Sequence, residues 1–199
     1  MAQRAVSARG GFDFTYHIRA LTTEIIGRVP QLGHIDVARV AISFSQTRKR
    51  VMHGLQASLT PMRFEGGARA GVYRGRRMSV QEVRDTDGQE MLYILNFYLP
   101  RFLDLDFREK LTTVFHELWH ISPQFDGDIR RHDGRCYAHS HSQAAYDAQL
   151  DPLVDQYLAH RAIESLPDFL HLDFSQLQRT YGKVYGTRIP RPKLIPVKR

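Results

Sequence analysis

The chain has 199 residues, 42% of them hydrophobic and 25% charged, with a net charge of +7 and an isoelectric point near 9.7. These values fit a globular domain with a sizeable core, and they exclude collagen-like, low-complexity and membrane-spanning classes. No apolar run approaches the roughly eighteen residues a span requires.

A single cysteine, Cys136, excludes an internal disulfide and suits a reducing compartment. No signal-peptide core follows Met1, so a cytoplasmic location without membrane association is expected. Three regions are expected: a flexible N-terminus over 1–11, one folded domain over 12–187, and a basic, proline-containing tail over 188–199. The excess charge is uneven. From Phe174 to Arg199 there are seven basic residues and no acid, so nucleic acid is a candidate partner of the tail.

In chain order, Phe14, Ile18, Leu21, Ile25 and Ile26 recur at helical spacing, with Asp13 as a cap and Pro30 beyond the end. His17 in that helix has no second candidate ligand at helical spacing and reads as a packing residue. Val37, Val40, Ile42 and Phe44 predict a strand over about 38–45. Arg48-Lys49-Arg50 reads as a basic turn. Leu55, Ala57 and Leu59 predict a strand before Pro61. Gly66, Gly67, Gly71 and Gly75 fit no phosphate-binding fingerprint and read as turns between short strands in an arginine-rich stretch. After the Asp87-Gly88 turn, residues 90–99 form the strongest strand pattern, closed by Pro100. Two places in a sheet suit it: a core strand, or an edge strand beside the site that follows, able to pair with a peptide.

That site is His116-Glu117-Leu118-Trp119-His120, the pattern H-E-x-x-H. On a helix, residues four apart share a face, so two imidazoles can be offered to one metal ion while Glu117 is placed to take a proton from water. At this composition a chance match is expected roughly 0.02 times, and the context supports a helix. Asp106 and Glu109 form a capping box, and Leu111, Val114, Phe115 and Leu118 recur at i, i+3, i+4 and i+7. The apolar face would be buried and the histidines turned toward a cleft.

Beyond His120, Pro123 and the Asp-Gly turns predict a loop, and a helix follows from about Gln143 to Ser165 with Pro152 inside it. Residues 168–186 are aromatic and expected to pack on the domain; from Ile189 the chain is expected to be extended. A hydrolytic zinc site uses three protein ligands and an open position. Four candidates for the third lie downstream: Asp126, six residues past His120, and His132, His139 and His141. At Asp126 the turn-back glycine familiar from that spacing is replaced by Pro123, which cannot take a positive φ. The Asp126-Gly127-Asp128 and Arg130-Arg131 cluster suggests carboxylates that orient ligand imidazoles and arginines that pin the loop by ion pairs. Tyr137 and Tyr146 are candidate oxyanion donors, with a packing role the simpler reading of each.

His116 to Pro123, then Phe125-Asp126-Gly127-Asp128, Arg130-Arg131, Tyr137-Ala138-His139 and Tyr146-Asp147, resemble the phage-type zinc metallopeptidase family. More distantly they are similar to SprT-like zinc proteases. The resemblance covers about 35–160. It implies a zincin-like α+β fold, a small mixed sheet packed on the motif helix with a further C-terminal helix. It also implies Zn²⁺ held by His116, His120 and His139, with Asp126 as the alternative third ligand. The expected activity is peptide-bond hydrolysis with Glu117 as general base and a protein or peptide substrate. The alternative is a nucleic-acid-associated binding protein with a structural zinc and a basic C-terminal tail, which a closed four-ligand site with His141 or Cys136 would favour.

Overall fold

A computed structural model describes residues 10–47, 54–131, 143–159 and 167–197. Its frame is a three-stranded mixed sheet in the order β2 (Val40–Gln46), β6 (Tyr93–Leu99), β3 (Ala57–Pro61), with β2 parallel and β3 antiparallel to β6. The strand with the strongest pattern is therefore central and paired on both sides. Its place at a sheet edge, one of the two expected, is corrected: β3 has that position. The reason is visible in the apolar run itself, since a strand covered on both faces needs hydrophobic residues at nearly every position. Tyr93, Leu95, Phe97 and Leu99 enter the main core, while Ile94 joins a smaller cluster with Ala41, Met62 and Met91 on the other face.

Two helices cover the main-core face. The first, α1 (Phe14–Arg28), begins where the Asp13 carboxylate accepts the Tyr16 N–H at 3.0 Å and buries Phe14, Ile18, Leu21 and Ile25. His17 packs, as its lone position suggests, with its ring stacked on Phe12 at 4.4 Å. The second, α2 (Phe107–Trp119), starts with the full capping box between Asp106 and Glu109 and buries Leu111, Val114, Phe115 and Leu118. Burial of four such side chains contributes about 1.5–3 kcal/mol each, far more than the cap, so packing fixes the helix and the cap sets its first residue. Against α2 lies α3 (Gln143–Ala159), which runs through Pro152. Arg108 joins the two helices by ion pairs to Asp151 and Asp155.

Beyond α3, Phe169 and Leu170 are buried, and α4 (Phe174–Tyr181) places Leu177 in the core. Lys110 of α2 is 2% exposed and donates to the backbone carbonyls of Leu170 and Leu172, tying this segment to the motif helix. β7 (Val184–Tyr185) pairs in parallel with β1 (Phe12–Asp13). The chain then follows the open edge of β2, where Phe44 N–H donates to Thr187 and Ile189 N–H to the Ser43 hydroxyl. It ends in β8 (Leu194–Pro196), paired antiparallel with β5 (Arg76–Val80) of the β4–β5 hairpin, in which β4 is Ala70–Tyr73. The segment expected to be an extended tail thus completes a second three-stranded sheet.

Candidate metal centre

The C-terminal end of α2 carries the motif. His116 and His120 lie one turn apart with ring centroids 4.6 Å from each other and planes at 81°, an edge-to-face pair. Both are 7% exposed, so the ring pair is buried. Glu117 is 8% exposed, and its carboxylate accepts the backbone N–H of Leu59 in β3. Burial pushes the Glu117 carboxyl up to about 7, the Leu59 hydrogen bond opposing the shift. A carboxyl group near neutrality can both take and return a proton at physiological pH. Two imidazoles on one helix face suit a divalent metal of the zinc type. The helix terminus adds to this, since its backbone carbonyls give the last turn a partial negative charge that favours a cation.

The loop after the motif folds straight back over the helix end. His120 is the C-cap and still has helical backbone angles. Its carbonyl accepts the Arg130 N–H at 2.7 Å, and Ile121 bridges Ile129 in antiparallel fashion. Arg130 spans the terminus twice, donating from Nε to the Trp119 carbonyl and laying its guanidinium 4.0 Å over the Trp119 ring. The reversal is made at Phe125 (φ +51°) and Gly127 (φ +90°). Pro123 therefore needs no positive φ. A Cβ at Gly127 would stand 2.5 Å from Cγ of Arg63, so glycine is required there on two counts.

Asp128 anchors this loop. Its carboxylate accepts the backbone N–H groups of Gly66 and Ile129 and the Nε and Nη2 of Arg131. Burial pushes its carboxyl up, but Arg131 and the two N–H groups outweigh this and hold it below the ordinary carboxylate range. Tyr93, fully buried on β6, completes the anchorage, its hydroxyl donating to the Asp128 carbonyl at 2.9 Å and accepting from Gly127 N–H at 3.0 Å. The expected pinning of the loop by arginine is seen in the Arg131–Asp128 ion pair, and Arg130 also holds backbone and ring.

Asp126 accepts the N–H of Asp128 with Oδ1 and packs its Cβ against Gly67. Among the described residues no group of three His, Cys, Asp or Glu side chains is arranged to hold a metal ion. His132, His139 and His141, with Cys136 and Tyr137, lie outside the described residues, and Tyr146 falls in α3.

Over residues 15–157 the sequence matches the family described as "Putative phage metallopeptidase". The chain belongs to that phage metallopeptidase family. No curated protein and no solved structure matches it. Membership makes the coarse statement that this is a metal-dependent peptide hydrolase, and the match spans every residue of the α2 site and its anchoring loop. Sequence reasoning missed two parts of this phage metallopeptidase site: Tyr93, and the Leu59 N–H that faces Glu117. A backbone donor has no sequence signal, and the loop that reaches the Tyr93 hydroxyl comes from more than thirty residues away.

Proposed function

We propose that the chain is a zinc-dependent peptidase in which His116 and His120 hold the ion with His139 as the third ligand, Asp126 being the alternative. The observation that carries this reading is the edge-to-face imidazole pair with the buried Glu117 carboxylate beside it. A buried carboxyl group with a perturbed pKa costs stability, and such groups are retained where chemistry uses them. When bound, zinc supplies Lewis acidity, which acidifies water and polarises a carbonyl. Glu117 takes the proton from the attacking water and returns it to the leaving amine. The Leu59 N–H holds the carboxylate in place for both transfers. Burial of all three side chains keeps bulk water from competing for their hydrogen bonds.

The substrate class is a protein or peptide, and the compartment we assign is the cytoplasm, in keeping with the lone Cys136. Among the described residues no helix is long and apolar enough to cross a membrane. The test is hydrolysis of unfolded protein substrate by zinc-loaded wild type beside Glu117→Gln. Loss of turnover by about 10²-fold or more, at unchanged zinc content, is expected for a missing general base. Equal turnover in the two would remove Glu117 from the chemistry.

A further inference from the structure

We propose that the outer face of the β4–β5–β8 sheet binds single-stranded nucleic acid, a function separate from peptide hydrolysis. The register places Val72 opposite Arg77 and Ser79 opposite Ile195, and the Val197 N–H donates to the Arg77 carbonyl, so Val72, Arg77, Ile195 and Val197 share one face. The opposite face is partly covered. Phe64 covers Gly71, and Val80 packs against the smaller core cluster. The outer face is left open, with Val72 76%, Ile195 46% and Val197 36% exposed.

The charge around it has one sign. Residues 69–81 hold four arginines and no acid, and residues 183–197 hold four basic residues and no acid. Pairing of β8 with β5 brings these two stretches, more than a hundred residues apart in sequence, into one surface. Arg69 is neutralised by Glu82 and Glu90. None of the ion pairs among the described residues involves Arg74, Arg76, Arg77, Arg191 or Lys193. At the hairpin tip Tyr73, paired with Arg76 on the other face, is 46% exposed, with the Arg74 guanidinium 5.4 Å from its ring centre.

Unpaired cations around exposed aliphatic side chains fit a polyanion that also presents apolar faces. Single strands do this, offering phosphates to Arg77 and Lys193 and unpaired bases to Val72 and Ile195. A duplex hides those base faces, and an acidic peptide lacks them. The surface is also tied to the α2 site. Gly66, in the connection leading to β4, donates to Asp128, and Glu65 lies 3.6 Å from Arg131. A strand bound on this sheet would lie next to the loop that closes the motif helix.

The experiment is fluorescence anisotropy of the full chain with a labelled oligothymidylate, a duplex of equal length and polyglutamate, across a salt series. Variants are Arg77→Gln/Lys193→Gln, Val72→Ser/Ile195→Ser, and a charge-matched control, Arg28→Gln/Arg108→Gln. The single strand is expected to bind best, the Arg77/Lys193 pair to weaken it about tenfold or more and lower the salt slope by roughly 1.4, and the control to leave both unchanged. The Val72/Ile195 variant is expected to weaken the single strand and leave duplex binding unaltered. Equal loss in the control, duplex binding as tight as single-strand binding, polyglutamate binding as tight as either, or no binding at low salt would each overturn the proposal. Activity is not read, so this outcome is independent of whether the α2 site hydrolyses peptides.

Discussion

Tyr93→Phe removes one oxygen atom and nothing else from a fully buried ring, and two backbone groups each lose a hydrogen bond. The Asp128 carbonyl gives up a 2.9 Å hydrogen bond and the Gly127 N–H one of 3.0 Å. The Asp128 carbonyl keeps the Ser122 N–H at 3.3 Å, whereas the buried Gly127 N–H loses its tyrosine acceptor, so a loss of about 1–3 kcal/mol is expected. That is a large share of the roughly 5–15 kcal/mol by which a domain of this kind is stable. Urea unfolding reads it as a fall in midpoint at constant slope. Tyr98→Phe is the control on the same strand. It is half-buried, and its hydroxyl has a single 3.4 Å contact with Ser58, so a loss below about 1 kcal/mol is expected. If Tyr93→Phe is no more destabilising than Tyr98→Phe, the hydroxyl does not hold the loop and the anchoring argument fails.

Asp128→Asn keeps the shape but removes the charge that faces Arg131 and the two N–H groups; a loss of about 1–3 kcal/mol at neutral pH is expected, shrinking as pH falls and the wild-type carboxylate is itself protonated. A variant whose deficit is constant from pH 7 to pH 3 would contradict this. Lys110 supplies a test in the alkaline range. Burial lowers its ammonium to about 8, against an ordinary lysine value of 10.5, with Asp173, Asp104 and Asp106 opposing the shift. Between those values the unfolded chain holds a proton that the folded chain has lost, so stability from this group rises with pH through that window. Lys110→Met should lower stability at pH 7.5 by orphaning two carbonyls, and it should abolish that rise. The same slope from pH 7.5 to 9.5 in both proteins would refute it.

The elements easiest to read were those whose signals are local. Helix α2 follows from a cap three residues from its partner and an apolar stripe within two turns, and α1 from Asp13 and the same periodicity. The motif's histidines meet because a helix alone brings residues four apart together. Where the answer depended on distant pairing, the sequence was ambiguous. An apolar run such as 91–99 cannot tell a central strand from an edge one, because both faces can be buried in either case. The basic C-terminal segment, with three prolines, looks unpaired until β5 is placed beside it. Lys110 borders the apolar arc of α2, one turn before Val114, and only the carbonyls of Leu170 and Leu172 explain the burial of its ammonium. The back-turn after His120 was obscured for a different reason. Its first positive φ falls at Phe125, a residue type that seldom adopts one, so Gly127 marks only its second half.

The central claim is that α2 presents a catalytic metal site, and zinc content per chain tests it most directly. Elemental analysis would be run on wild type, His116→Ala, His139→Ala, Asp126→Ala and Glu117→Gln, each exchanged against the same zinc buffer. The account predicts about one zinc in wild type and in Glu117→Gln, loss in His116→Ala, and loss in one of His139→Ala or Asp126→Ala, which names the third ligand. A wild-type chain that remains metal-free with zinc supplied, or that keeps its zinc in His116→Ala, would contradict it.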